Sequence, residues 1–330
     1  MPVRLPFRPR RNAYPADLWT KCPGCAEMLF NKQLDKSLRV CPNCSHHFRI
    51  PARSRIEQLV DSGSFVERDA NLQPVDSLGF VDLKPYPDRL MAAQLATGLR
   101  DAAVWGLATI GGRPVSMCVM DFGFIGGSMG AVVGEKVARA GEAALAERIP
   151  LIIVSSSGGA RMQEGTFALM QLVKTMGVLE RVRTASVPYI SILTDPTTGG
   201  VFASFAVVGD VNIAEPNAII RFAGDRVSAG TIGEELPPGY QRSEFWFSHG
   251  FVDMIVARAH LRDEIISLLG FLIAPPHNGT GEPMAVPAPR TRAFLSALTG
   301  ALVGEGNGDA RNGDARNGEA SESRGEASHG

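Results

Sequence analysis

Residues 151–205 read LIIVSSSGGARMQEGTFALMQLVKTMGVLERVRTASVPYISILTDPTTGGVFASF. Two apolar, β-branched runs, Leu151–Val154 and Tyr189–Leu193, have the character of buried strands. Each leads into paired glycines, Gly158–Gly159 and Gly199–Gly200, and then into a segment of helical period. Strand, Gly-Gly, helix, twice over, predicts a βαβ arrangement with parallel strands. In such sheets ligands bind where strand carboxyl ends meet helix amino ends. Paired glycines let main-chain N–H groups approach a ligand with no side chain between them, and such donors can hold an oxyanion. The alternative is that the glycines only make tight turns. Spacing alone does not choose between these or name a reaction.

The pattern extends in both directions. Val104–Ile110 and Val115–Met120 flank Gly111-Gly112 and predict a hairpin. Cys118 in its second strand reads as a buried, inert thiol, because no activating base lies near it in sequence. Asp121–Gly127 (DFGFIGG) opens a third strand, Gly-Gly, helix unit, with its helix running to about Arg148. No HRD loop or glycine-rich phosphate loop accompanies that DFG, which excludes a kinase. Downstream, Val201–Val208 predicts a helix, Asn217–Phe222 a strand and Ala223-Gly224-Asp225-Arg226 another glycine turn. Leu236–Gly239 predicts a turn, Gln241–Phe245 a helix start, Phe251–Val256 a last strand and His260–Ile273 a last helix. Repeated units of this kind make a spiral rather than one flat dinucleotide-binding sheet.

Composition bounds the reading. The chain has 330 residues, 45% hydrophobic, with a formal net charge of −1. These values suit a globular protein with a sizeable core and argue against a whole-chain polyanion binder. No apolar run approaches the roughly 20 residues needed to span a bilayer, and the N-terminus has no apolar signal core.

Four of the five cysteines form Cys22-Pro-Gly-Cys25 and Cys41-Pro-Asn-Cys44. This C-x2-C, C-x2-C spacing predicts a closed, structural four-thiolate zinc site in a reducing compartment. His46 and His47 read as surface residues or neighbours of the ligands. Residues 1–56 hold eleven Lys/Arg against three Asp/Glu, with Trp19, Phe30 and Phe48 among them. That leaves open a nucleic-acid-binding ribbon, a solvated face, or a lid over an anionic ligand. Ser54-x-x-Glu57 predicts a capping box for a short helix ending near Gly63. Residues 71–89, rich in proline and aspartate, predict an irregular connection. The resulting domains are an extension (1–18), a zinc ribbon (19–56), an α/β body (57–274) and a Pro/Gly-rich tail (275–330) whose NGDAR repeats and lack of aromatics read as disordered.

Five stretches carry a family likeness: CPGC…CPNCSHHFRI, SSSGGARMQEG, LTDPTTGGVFASFA, NIAEPNAIIRFAG and LPPGYQRSEF. In that order, across residues 19–273, they resemble the β subunit of the carboxyltransferase component of bacterial-type acetyl-CoA carboxylase. The resemblance implies a crotonase-like spiral of ββα units with an added zinc ribbon holding one Zn2+. It implies carboxyl transfer from carboxybiotin, on biotin carboxyl carrier protein, to acetyl-CoA, giving malonyl-CoA for fatty acid biosynthesis in the cytoplasm. It implies an α2β2 assembly with a carboxyltransferase α subunit, an active site between the two kinds of chain, and a separate, ATP-using biotin carboxylase. By the same resemblance Gly199 and Gly200 are oxyanion donors, and Gly158, Gly159 and Arg161 lie along the CoA path. A local ion pair, with Glu164 or another carboxylate, is Arg161's alternative role. Asp195 and Pro196 shape the turn, and Gln241–Phe245 belongs to the core or a subunit interface. Arg221 and Asp225 depart from the family's pattern of neutral or small residues there. Two further readings stand beside the first: a carboxyltransferase for another acyl-CoA such as propionyl-CoA, and a zinc-ribbon nucleic-acid binder.

Overall fold

A computed structural model describes residues 18–222 and 239–273. The turns expected at 223–226 and 236–238, with Asp225, lie outside these residues, as do most of the N-terminal extension and the whole of the tail.

The ribbon comes first. Strands β1 (Trp19–Lys21) and β2 (Met28–Phe30) pair antiparallel, and α1 (Asn31–Lys36) follows. Helix α2 (Ala52–Leu59) leads to β3 (Val66–Arg68) and α3 (Tyr86–Thr97). The body continues with β4 (Ala103–Ile110), β5 (Arg113–Met120), α4 (Ala131–Glu147), β6 (Leu151–Ser157), α5 (Thr166–Thr184) and β7 (Tyr189–Thr198). It ends with α6 (Gly199–Phe202), β8 (Val211–Ala214), β9 (Ile220–Arg221), α7 (Ser243–Ser248), β10 (Met254–Ile255) and α8 (Arg258–Leu272).

Among the described residues the body strands form one sheet in the order β10-β8-β7-β6-β5-β4-β3, with β9 beside the end of β7. The β4–β5 hairpin is antiparallel, and β5 to β8 run parallel, as the two Gly-Gly units require. β6 and β7 are almost wholly buried and carry Ile152, Ile153, Ile190 and Ile192 into the core. Burying each such side chain contributes about 1.5–3 kcal/mol. Both strands run past their apolar stretches. The Thr194 and Thr197 hydroxyls donate to the Ser155 carbonyl, satisfying main chain where the β6–β7 register shifts. Beyond that shift β7 leaves β8 and pairs with β9, which delivers residues 199–200 to the sheet's carboxyl edge.

Four expectations need correction. Helix α2 begins at Ala52 with Pro51 as its cap and no side-chain capping bond, so Ser54 lies inside the first turn and the capping box does not form. Residues 86–97 are a helix, because Pro87 occupies the first turn, where a missing N–H costs nothing. The helix after Gly200 stops at Phe202, since the Ser204 hydroxyl bonds back to the Gly200 carbonyl at 2.7 Å. The strands expected at 217–222 and 251–256 shorten to Ile220–Arg221 and Met254–Ile255.

A buried ion cluster joins ribbon to body. Glu215, just past β8, is 1% exposed and pairs with Arg55 of α2 (2.7 Å) and Arg258 of α8 (2.8 Å). Arg258 also donates to the ribbon carbonyls of Leu38 (2.8 Å) and Phe48 (2.9 Å), and its main-chain N–H donates to His47 Nε2 at 3.2 Å. His47 is therefore buried in the joint rather than on the surface, and burial holds its imidazole below the ordinary histidine value. Burial alone would raise the Glu215 carboxyl, but Arg55 and Arg258 override it and hold it at about 2. Its ionised form therefore stabilises the fold fully above its ordinary value of 4.5, and that contribution is lost as pH falls from there toward about 2. Glu215→Gln leaves two guanidinium groups buried without a carboxylate and should cost about 3–5 kcal/mol. Thermal melting should show that loss at pH 7, and the variant should lack this part of the wild type's acid-dependent destabilisation.

Candidate active site and metal centre

The site is built from three successive turns that lie backbone against backbone. Segment 126–129 is laddered to 158–161: the Gly158 N–H donates to the Gly126 carbonyl, Met129 to Gly159 and Arg161 to Met129, each at 2.8 Å. A Cβ at Gly127 would lie 2.0 Å from the Ser156 carbonyl oxygen. The second contact joins 158–159 to 199–200. A Cβ at Gly159 would lie 3.2 Å from Gly199 Cα, and one at Gly199 would lie 3.0 Å from Gly159 Cα. Both residues have positive φ, +118° and +59°. Glycine is thus demanded twice at these positions, by conformation and by space.

The two glycine pairs differ in what they leave available. Gly158 gives its N–H to Gly126, and Gly159 gives its own to the Ser157 hydroxyl at 3.0 Å, so neither main-chain donor is free for a ligand. Gly158 itself is exposed. Gly199 and Gly200 are half-buried and open α6, where the first N–H groups lack intrahelical acceptors. Gly199 follows directly on the β7–β9 pairing at Thr198 and Arg221. Among the described residues no acceptor takes the Gly200 N–H. Leu172 of α5 lies beneath Gly200, 3.4 Å from where a Cβ would be.

Arg161 takes the second of the two roles left open by the sequence. It is 0% exposed, and all five of its N–H donors are directed at protein acceptors. Nε donates to the Ser128 hydroxyl (3.1 Å) and Nη2 to the Ser128 carbonyl (2.8 Å) and to Asp101 (2.5 Å). Nη1 faces Asp101 (2.9 Å), the Tyr86 hydroxyl (3.1 Å) and Glu164 (3.2 Å). Nothing remains for a CoA phosphate. Burial opposes the charge on Arg161, but Asp101 overrides it and raises the guanidinium above its ordinary value. Burial also raises the Tyr86 hydroxyl, which stays protonated and donates to Glu164 at 2.7 Å. The second oxygen of Glu164 accepts the Ala131 N–H at the head of α4. Tyr86, Asp101 and Ser128 are not legible as its partners in the sequence, because they lie 75, 60 and 33 residues away from Arg161; only Glu164, three residues on, is near enough to suggest itself.

Asp195 lies inside β7 rather than in the turn expected of it, and accepts from the Ile219 N–H and from Arg49 Nε, each at 3.1 Å. Arg221 lies in β9. Burial pushes the Cys118 thiol up to about 12, as befits an inert core residue.

In the ribbon, the Cys22 and Cys44 sulfurs are 3.6 Å apart, those of Cys25 and Cys41 3.8 Å, and all four lie within 4.8 Å of one another. Four Zn–S bonds of about 2.3 Å in a tetrahedron put sulfurs roughly 3.8 Å apart, so the thiolates fit a zinc ion. A Cβ at Gly24 would come within 3.1 Å of the Cys44 sulfur, which explains the glycine in the first pair. Four of the basic residues of 1–56 are already paired: Arg39 with Asp35, Arg49 with Asp195, Arg53 with Glu67 and Arg55 with Glu215.

A carboxyl transferase domain model matches residues 49–243, and an acetyl-CoA carboxylase zinc finger model matches residues 19–44. Glycine turns on a parallel sheet and a four-cysteine ribbon are thus the two halves of a ribbon-bearing carboxyl transferase with a crotonase-like fold. The acetyl-coenzyme A carboxylase carboxyl transferase subunit beta of Citrifermentans bemidjiense is 52% identical over 261 residues, covering 79% of this chain and 93% of its own. That of Thermus thermophilus is 52% identical over 256 residues, 78% and 90% of the two chains. The chain belongs to the family of acetyl-CoA carboxylase carboxyl transferase β subunits. Among solved structures, the transcarboxylase 12S core with methylmalonyl-coenzyme A bound is similar with a TM-score of 0.58 and 28% identity, over 72% of this chain and 43% of that one. The Pseudomonas malonate decarboxylase MdcD–MdcE heterodimer shares the fold, with a TM-score of 0.52 and 21% identity over 76% and 95% of the chains. Among the described residues no helix is long and apolar enough to cross a membrane.

Stoichiometric zinc, one ion per chain, should be found in the purified protein. Removing it with a strong chelator should speed amide exchange across residues 19–48 while β4 to β7 keep their protection, because so small a ribbon depends on its metal for folding energy.

Proposed function

We propose that this chain is the β half of a carboxyltransferase that moves the carboxyl group of carboxybiotin to acetyl-CoA, producing malonyl-CoA. The biotin rides on a biotin carboxyl carrier protein, charged by a separate biotin carboxylase, and a carboxyltransferase α subunit completes the site in an α2β2 assembly. The observation that carries the reading is the half-exposed Gly199–Gly200 turn, with the Gly200 N–H unclaimed at the carboxyl edge of the sheet in a chain of this family.

The chemistry follows from that turn. Breaking the N–C bond of carboxybiotin releases CO2 and leaves a basic ureido nitrogen. That nitrogen takes a proton from the acetyl-CoA methyl group, and the resulting enolate carbon attacks CO2. Negative charge develops on the thioester oxygen, where a preorganised N–H donor contributes about 3–4 kcal/mol. Gly199 and Gly200 supply those donors. The scheme needs no carboxylate or histidine base, and Glu164 and Asp195, the acidic residues nearest the turns in sequence, are committed to Arg161 and Arg49. Gly158, bare and exposed, lines the CoA path, and Gly159 backs it.

An apolar surface supports the need for a partner. Phe167, Leu169, Met170 and Val173 on α5 are 48–77% exposed, on the helix whose Leu172 touches Gly200. A chain covering that face comes to lie beside the turn. Acetyl-CoA is preferred over propionyl-CoA because the half-identical relatives are named for it, whereas the structure bound to methylmalonyl-coenzyme A is only 28% identical.

Malonyl-CoA should form from carboxybiotin and acetyl-CoA when the α subunit is added, and not with this chain alone; no product at saturating substrates with the partner present would overturn the assignment. Gly199→Ala keeps the N–H but places a methyl 3.0 Å from Gly159 Cα at a φ of +59°, so it should displace the turn and lower kcat on the order of a hundredfold. Val173→Asp should prevent co-sedimentation with the α subunit while leaving the melting temperature of the chain unchanged.

A further inference from the structure

We infer that Tyr86, Asp101 and Glu164 are positioning residues for the reaction, acting through Arg161 to hold the 158–159 turn in register against Gly199–Gly200. This rests on the reading of Gly199–Gly200 given under Proposed function.

The four side chains come from separate segments: Tyr86 from the first turn of α3, Asp101 from the loop before β4, Arg161 and Glu164 from the turn after β6. Each is at most 6% exposed. Arg161 reaches across to Ser128, binding both its hydroxyl and its carbonyl, and its own N–H donates to the neighbouring Met129 carbonyl. The Met129 N–H returns to the Gly159 carbonyl. The guanidinium therefore grips both strands of the ladder that fixes Gly159. Tyr86 and Asp101 grip the guanidinium, and Glu164 links it to the head of α4.

No side chain stands between Gly159 and Gly199, so a displacement of one turn passes directly to the other. A cluster serving stability alone is poorly explained by charge, since buried ion pairs are often matched by apolar packing of the same volume. Their particular contribution is directional geometry, shared through a fully satisfied network. Tenths of an ångström matter at an oxyanion site and rarely matter in a core.

The test uses the full chain assembled with its α partner. Tyr86→Phe removes one hydroxyl and keeps the ring. The expected result is a fall in kcat on the order of ten- to a hundredfold with KM for acetyl-CoA nearly unchanged. Amide exchange should quicken in peptides covering 157–166 and 195–205 and stay as in the wild type across α8. Ser128→Ala is the gentler second variant, removing a single acceptor, and should show the same split with a smaller fall. Unchanged kcat in a folded variant, or faster exchange spread evenly over the chain, overturns the inference. Exchange in the two turns is read without assuming any reaction. If the wild-type assembly makes no malonyl-CoA, the functional assignment fails, and exchange confined to the turns or absent from them still decides the positioning role.

Discussion

The architecture depends on one close approach: the main chains of Gly159 and Gly199 meet with no side chain between them. Parallel strands are about 4.8 Å apart, and the turns leaving their carboxyl ends normally diverge into helices. Here β6 and β7 stay in step past their apolar cores, through a register shift covered by threonine hydroxyls, so that their exit turns meet instead of separating. At the meeting point Gly159 is buried and Gly199 half-buried, and a side chain on either would press against the main chain of the other.

Two buried charge clusters tie the elements of the body together. One, centred on Arg161, ties the glycine ladder to α3 and α4. The other, centred on Glu215, ties the ribbon and α2 to the end of β8. Arg49 connects the two regions: it leaves the ribbon, pairs with Asp195 on the β7 extension, and lies over the Phe122 ring at 4.0 Å. A module that looks separable in sequence is therefore packed onto the strand that carries the candidate oxyanion turn.

Much of this was legible in the sequence because it follows from local rules. Apolar runs ending in Gly-Gly announced β6, β7 and their turns, and the cysteine spacing announced the ribbon. The resemblance added the reaction and the partner. Other features were hidden because they are decided at a distance. Arg161 reads equally well as a phosphate ligand or a structural cation until Asp101, sixty residues away, is brought beside it. His47 reads as a surface residue or a neighbour of the zinc ligands until α8, more than two hundred residues on, closes over it. Pro87 looks like a breaker because a proline's effect depends on whether it falls in the first turn of a helix or later.

The grip of Arg258 on the ribbon has a consequence for how this protein can vary. Its guanidinium holds carbonyl oxygens of Leu38 and Phe48, atoms that every residue type provides. Docking thus reads the path of the ribbon and is nearly blind to the identity of its side chains. Such a joint tolerates sequence drift between the zinc ligands but not a change of length, since one inserted residue would carry the gripped oxygens out of reach.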